Sequence, residues 1–453
     1  MLRNSENVSL KQVRIAMLGK QSPEMGFTSL IHHLDSEWLC EAYWLTRKSG
    51  APGIDGETWA SYGEQLEPNI GKLIARLKAN SYRAPAIRRK HIPKAGNPGE
   101  TRPLGIPTFE DKVLQRAVVM LLEPIYETDF IDSSYGFRRG RSAHQALEAL
   151  WKQMMDKVGG WILELDIRKF FEEIDHTKLI LFLKRRVRDS AVLRLISKWL
   201  KAGVMENNSI SYPDSGTPQG GVISPLLANI YLHYVLDSWF VNDVQPRMRG
   251  KTDLVRFADD AVFSFSNEAD ASRVLETLPK RFARYGLRLH PEKTQLIDFR
   301  CPREENKPQG SPEEEAKSFD FLSFTHYWAK SQRGRMTIKR KTAKSRLARA
   351  IKVLHVWCKD NRHQPILEQQ QALNRVLLGH CSYYGITGNS ISLGAFRYWL
   401  VRIWRHWLSR RNRERDMTWA RFSSLLKRYP IKPARAIHSI CAQRNVHTRS
   451  RMR

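Results

Sequence analysis

A chain of 453 residues has room for about two to four domains, and its 42% apolar fraction supplies packed cores, which excludes wholesale disorder. Its 75 lysines and arginines exceed the 46 aspartates and glutamates by 29, and most of that excess lies at one end. Residues 331–453 carry 28 basic against 4 acidic residues while residues 1–330 carry 47 against 42, so the C-terminal part suits a polyanion and the rest is nearly balanced.

Positions 1–80 read as helices joined by polar loops. Leu66, Ile70, Leu73, Ile74 and Leu77 recur at three- and four-residue spacing, an amphipathic helix preceded by the turn-forming run 49–56. The basic, proline-containing stretch 82–94 reads as extended and continues through 103–107. Helices are predicted over 111–122 and 142–155. Gly159 and Gly160 then break the chain, and Trp161, Leu163, Leu165 and Ile167 alternate with Ile162, Glu164 and Asp166 at the period of a strand. Helical spacing resumes over 176–201. The run 216–221 is rich in glycine and opens a helix over 226–236. Strands over 254–257 and 261–265 flank Asp259 and Asp260 at a hairpin turn. Residues 301–317 read as a solvated linker. Beyond Arg333 the pattern is helical, with one stripe at Leu347, Ile351, Leu354 and Trp357 and another at Phe396, Trp399, Ile403, Trp404 and Trp407.

Five cysteines (Cys40, Cys301, Cys358, Cys381 and Cys441) stand far apart with no CxxC pair, which argues against a disulfide framework or a structural zinc site. The polar start, Met1 to Lys11, lacks the apolar stretch of a signal peptide, and no apolar run is long enough to span a bilayer. A cytoplasmic protein without a membrane partner is expected.

The carboxylates are the first chemical signal. Asp166 lies near the end of an apolar strand, where a charge is costly unless a metal or hydrogen bonds compensate it. Adjacent acids at a turn are common and alone indicate only a polar loop. A strand-borne aspartate combined with Asp259 and Asp260 is the arrangement that two-metal phosphoryl transfer requires. There, two Mg²⁺ ions are held by oxygen ligands on rigid elements, one activating a 3′-hydroxyl and the other steadying pyrophosphate. Gln219 sits among glycines that let backbone approach a ligand, and it can hydrogen-bond a base edge or sugar; the same run reads equally as a plain turn.

The order of the motifs is more specific than any one of them. Arg102-Pro103-Leu104-Gly105-Ile106-Pro107-Thr108 is followed by Ser134-Tyr135-Gly136-Phe137-Arg138-Arg139-Gly140-Arg141-Ser142, Leu165-Asp166-Ile167 and Pro218-Gln219-Gly220-Gly221. Phe257-Ala258-Asp259-Asp260, Gly286-Leu287-Arg288-Leu289-His290-Pro291-Glu292-Lys293-Thr294 and Phe319-Asp320-Phe321-Leu322-Ser323-Phe324 complete the series. The succession resembles the blocks of a reverse transcriptase, and more narrowly the bacterial group II intron-encoded enzymes and their relatives.

That resemblance implies an α+β right-hand polymerase. Its parts would be an N-terminal helical extension and start of the fingers over 1–80, fingers over 81–160 and a palm over 161–325 with an antiparallel sheet and helices. A helical thumb over 326–410, similar to a maturase X region, and a basic nucleic-acid-binding tail over 411–453 would follow. Asp166 and Asp259 would bind two Mg²⁺ ions, with Mn²⁺ as a substitute, Asp260 would assist, and the Ile167 carbonyl would complete one coordination shell. Phe171 matches the steric gate against a 2′-hydroxyl, with Phe170 beside it competing for the role. Lys94 and Arg102 match residues that grip the triphosphate, or else are solvated cations, and Gln219 would contact the dNTP. Lys293 matches a lysine that protonates departing pyrophosphate. Arg138, Arg139 and Arg141 would touch template phosphates. In the basic region Arg402, Arg405, Arg410, Arg411, Arg413 and Arg415 would bind nucleic acid, while the tryptophans among them suit a core better than stacking platforms.

Three departures stand out. Phe257 replaces the Tyr of most relatives, Arg139 stands where many have Pro, and no zinc-type endonuclease is expected after the thumb. The expected activity is RNA-directed DNA polymerisation by a chain that binds a structured RNA and an RNA/DNA template-primer duplex, assisting group II intron splicing and mobility. Two alternatives are a domesticated enzyme copying a dedicated noncoding RNA, as in phage defence, and an RNA-binding splicing maturase with little polymerase activity.

Overall fold

Apolar residues at helical spacing fold the start of the chain into α1 (Ser5–Gln21), α2 (Ser36–Leu45), α3 (Trp59–Glu64) and α4 (Leu66–Lys78). Asp35 caps α2 by accepting from the Trp38 N–H, and Thr58 with Ser61 forms a capping box on α3. The predicted stripe of α4 is real: Ile70 and Leu73 are buried. The extended basic stretch becomes β1 (Ile87–Pro93), paired antiparallel with β2 (Thr101–Ile106). The next helix, α5 (Phe109–Tyr126), is apolar on nearly every side and lies in the core, with Val113, Leu114, Ala117, Val118, Leu121, Leu122 and Ile125 fully buried. It is followed by α6 (Ala143–Asp156), β3 (Trp161–Leu165), β4 (Ile167–Arg168) and the single turn α7 (Phe170–Glu173). The helical stretch 176–201 is two helices, α8 (His176–Arg186) and α9 (Ser190–Leu200), separated where Asp189 caps the second.

β5 (Val204–Glu206) and β6 (Ser209–Ser211) extend the first ribbon into a sheet of order β2-β1-β5-β6, with β1 and β5 parallel. After α10 (Ser224–Leu232) come β7 (Thr252–Phe257), β8 (Asp260–Phe265), α11 (Glu268–Arg284), β9 (Arg288–Leu289) and β10 (Gln295–Asp298). The central antiparallel sheet has the order β10-β3-β8-β7, and β4 pairs with β9.

The computed structural model describes residues 5–93, 99, 101–206, 209–212, 215–217, 219–302, 317–411 and 417–438. The chain divides into two compact units, Met1–Asp298 and Phe299–Arg453. The second begins with an antiparallel meander, β11 (Phe319–Phe321), β12 (Phe324–Lys330) and β13 (Met336–Thr342). The helices α12 (Lys344–Asp360), α13 (Ile366–Tyr384), α14 (Ser390–Ser409) and α15 (Trp419–Arg428) follow.

Three boundaries move from those expected. The 325/326 border between the third and fourth segments falls inside β12, because residues 319–342 pair with one another. The pattern just beyond Arg333 is a strand before it is a helix: Ile338 and Arg340 are buried on alternate positions of β13. Within the expected tail, residues 417–438 are tied into a core: Phe422 of α15 and Ile431 are buried with Leu377, Phe396 and Trp404. As the sequence suggests for the tryptophans, Trp404 is core and donates its indole N–H to Gln369 Oε1 at 3.0 Å, although Trp399 remains 44% exposed.

The first unit also buries a polar cluster. Asp111 accepts a short hydrogen bond from the Tyr82 hydroxyl, which itself accepts the Trp199 indole N–H at 2.9 Å. Burial pushes the Asp111 carboxyl up to about 7, and the Tyr82 hydrogen bond only partly opposes this. The folded chain therefore binds a proton that the unfolded chain releases near pH ~4, so stability falls as pH rises from there through about 7. Asp111→Asn, neutral at every pH, should flatten that fall, as read by urea unfolding midpoints between pH 4 and 8.

Candidate active site

The hairpin that carries Asp259 is held from beneath and from its outer edge. Phe257 pairs with Asp260, so the turn is Ala258-Asp259 and Asp260 is already the first residue of β8. Ala258 has a φ of 59°, and positive φ at the first turn residue alone is the pattern of a type II′ hairpin. Below the turn the fully buried Arg256 guanidinium donates from Nε and Nη2 to the two Asp237 oxygens at 2.7 and 2.6 Å. Its Nη1 donates to Asn229 Oδ1 at 3.0 Å and to the Ala258 carbonyl at 2.9 Å. The helix α10 widens into a π-helical turn over His233–Asp237, which delivers Asp237 to this position.

On the edge, the Arg256 N–H donates to the Ser133 carbonyl at 2.9 Å and the Tyr135 N–H to the Arg256 carbonyl at 2.8 Å, so the motif around Tyr135 runs beside β7 as a short added strand. Gly136 then crosses the hairpin so closely that a Cβ there would collide with the Ala258 nitrogen. Asn229 Nδ2 donates to the Gly136 carbonyl at 2.7 Å.

Asp166 sits between β3 and β4, half-buried. Its carbonyl accepts the His290 N–H at 2.8 Å, its N–H reaches Thr294 Oγ1 at 3.5 Å, and Ile167 pairs with Leu289. The Gly286–Thr294 motif thus holds Asp166 by its backbone. Lys293 Nζ lies 2.9 Å from Asp166 Oδ2, an exposed pair of modest energy. The Asp259 carboxyl is raised above the ordinary range chiefly by burial and further by the Asp166 charge, while Arg102 and Arg256 oppose this. Asp166 and Arg102, both far from Asp259 in sequence, therefore lie within electrostatic reach of its carboxyl.

Asp260 behaves differently. Among the described residues, no three His, Cys, Asp or Glu side chains gather where they could share a metal ion. Asp259 belongs to the turn itself, whereas Asp260 opens β8. Asp260 is exposed at the head of β8.

The remaining expected residues separate clearly. Phe170 is 3% exposed and belongs to the core, which leaves the half-buried Phe171 as the available aromatic. The Phe171 carbonyl accepts the Thr217 N–H at 2.7 Å, and the Gln219 carbonyl accepts the Gly105 N–H at 2.7 Å, so the glycine-rich run is tied to α7 at one end and to β2 at the other. Arg102 is exposed on β2, whereas Lys94 lies outside the described residues.

Arg138, expected on template phosphate, is corrected. It is 7% exposed and spends its donors on Glu127 and on the Ile131 and Ser134 carbonyls, because it braces the turn that presents Gly136. Arg141 pairs with Asp132 at 2.6 Å, and Arg139 is exposed with Glu123 at 3.6 Å.

In the second unit Arg405 donates to the Met417 carbonyl at 2.7 Å and lies over Trp419 at 4.4 Å, so it fastens the start of α15 to α14. Arg402 is exposed and lies 5.3 Å from the Tyr398 ring centre. Arg410 contacts His406 and Arg411 reaches the Gln364 carbonyl at 3.3 Å, both exposed; Arg413 and Arg415 lie outside the described residues.

Sequence reasoning misses Arg256, Asp237, Asn229 and the crossing role of Gly136. The signal is present for the first: Leu254 and Arg256 share a strand face, so the alternation puts an arginine where the core demands a compensated charge.

The family described as "Reverse transcriptase (RNA-dependent DNA polymerase)" matches residues 92–326. The chain is 35% identical over 270 residues to Protein YkfC of Escherichia coli, covering 55% of this chain and 70% of that protein. It is 40% identical over 226 residues to the group II intron-encoded protein LtrA of Lactococcus lactis, covering 49% of this chain and 36% of LtrA. Nuclear intron maturase 1 of Arabidopsis thaliana is 30% identical over 95 residues, 21% of this chain and 13% of its own length.

Two substitutions probe the support of the hairpin. Gly136→Ala must push the Ala258 backbone away and should disturb the Asp259 hairpin with little loss of global fold, read as altered amide-exchange protection in β7 and β8. Asp237→Ala strands a buried guanidinium and should cost about 3–5 kcal/mol in chemical unfolding.

Proposed function

The chain belongs to the group II intron-encoded reverse transcriptase family, and we propose on that footing that it extends a primer with dNTPs on an RNA template by two-metal phosphoryl transfer. The observation that carries this reading is the charge effect of Asp166 on Asp259, two acids placed at the ends of β3 and β8, adjacent strands of one sheet. Oxygen donors of this kind suit Mg²⁺, which is commonly bound by one or two carboxylates with substrate phosphates and water filling the rest. When bound, the metal ions would supply activation of the primer hydroxyl and neutralisation of the triphosphate charge.

The chain's own residues would do the positioning. Asp166 and Asp259 would hold the ions, with the Ile167 carbonyl nearby and Asp260 in support. Arg102, whose charge already reaches Asp259, would grip the incoming phosphates, and Lys94, which follows β1 in the sequence, would join it. Phe171 would exclude a ribose 2′-hydroxyl, and Gln219 would orient the nucleotide. Lys293, beside Asp166, would hand a proton to pyrophosphate. In this reading the first unit comprises fingers and palm and the basic second unit a thumb that grips template-primer and a structured RNA, the partner for assisted splicing and mobility. The intron reading leads because LtrA and the Arabidopsis protein carry the words intron-encoded and intron maturase in their names.

Asp259→Asn should abolish dNTP incorporation on a primed RNA while RNA affinity changes less than about twofold; undiminished extension would remove the metal assignment. Because residues 417–438 belong to a core, phosphate binding is better tested by Arg410→Gln with Arg411→Gln than by truncation. That pair should flatten the salt dependence of RNA affinity by roughly 0.7–0.9 in log–log slope for each phosphate left unneutralised.

A further inference from the structure

The first unit contains a cavity of about 480 Å³ that has no part in the site above. Leu34, Ile74, Leu77 and Leu195 give it an apolar lining, and the buried Tyr82 forms part of its wall. Three cations stand around it: Lys78 at the end of α4, and Arg194 and Lys198 on α9. No carboxylate among the described residues forms an ion pair with any of them. The acid in the lining, Asp35, is engaged by Lys11 at 2.7 Å and by the N–H of Trp38. Lys198 spends one donor on the Tyr82 carbonyl at 2.6 Å, and Arg194 reaches only the Ser190 hydroxyl at 3.2 Å, which leaves both with donors to spare.

The cavity is also shaped by unfavourable backbone. Asn80, in its lining, has a φ of 53°, and the left-handed residue turns the chain sharply so that the N–H groups of Ser81 and Tyr82 both return to the Arg76 carbonyl. Tyr82 is thereby set into the wall with its hydroxyl bound on the far side to Asp111 and Trp199.

An apolar hollow of this size, with a few convergent polar groups, has the composition of a small-molecule site. Like charges around one hollow repel unless an anion joins them. We propose that this cavity binds a small anionic amphiphile, an aromatic or aliphatic body of up to three fused or linked rings bearing one sulfonate, carboxylate or phosphate group. The body lies against Leu77 and Leu195, and the anion meets Lys78, Arg194 and Lys198. The inference is independent of the polymerase reading, since none of these residues belongs to that site.

The full-length protein can be titrated with 8-anilinonaphthalene-1-sulfonate, and in parallel with N-phenyl-1-naphthylamine, which has the same rings without the sulfonate. Wild type should bind the sulfonate saturably at one site and at least tenfold more tightly than the neutral probe. Lys78→Glu with Arg194→Glu, both on the surface, should weaken the sulfonate at least tenfold and the neutral probe less than twofold. Leu195→Trp, which fills the hollow, should weaken both; Ala191→Leu serves the same purpose if that variant fails to fold. A saturable sulfonate signal that survives the charge reversal and the filling variant, or equal affinity for the two probes, overturns the proposal.

Discussion

A buried ion pair governs the chemistry-bearing end of this molecule. Arg256 and Asp237 are both fully buried, and removing two such charges from water is repaid only by near-ideal geometry and complete hydrogen bonding. The bidentate contact supplies the first condition. The second is met by Asn229 and by the Ala258 carbonyl, which belongs to the very turn that presents Asp259. The demand of the guanidinium for a final acceptor therefore fixes the hairpin. Rigidity at the site follows from solvation energetics rather than from anything the acids do for themselves.

The glycines around the site extend the same logic through backbone contact. Gly136 lies against Ala258, Gly216 against the Phe171 and Glu172 carbonyls, and Gly220 against the Gly105 carbonyl, each so near that a methyl group would collide. Loops far apart in sequence are thus packed main chain to main chain, with no rotatable side chain between them. Such contacts fix the relative positions of these loops more rigidly than side-chain packing would.

Much of this is legible in the sequence, and what is hidden has physical reasons. The strand ending at Leu165 and the hairpin around Asp259 announce themselves by alternation, and the core tryptophan of α14 by its helical stripe. Residues 336–342 read as helical because the basic side chains of a two-faced strand give no clear period, whereas their pairing with β12 decides the matter. Arg138 reads as a phosphate ligand because composition counts charges but does not see the carbonyls that a loop turns inward. That Asp259 stands in the turn while Asp260 opens β8 depends on the turn falling one residue earlier than the spacing of the apolar runs suggests. Turn register is set by backbone angles, to which hydrophobic patterning is nearly blind.

Ala258 itself carries an implication of another sort. A methyl-bearing residue in left-handed territory costs about 1–2 kcal/mol relative to ordinary backbone, and glycine would relieve it. Alanine nevertheless narrows the torsional freedom of the denatured chain at this link. The turn thus gives up a little native comfort for a smaller repertoire of denatured shapes, and Ala258→Gly would trade one against the other.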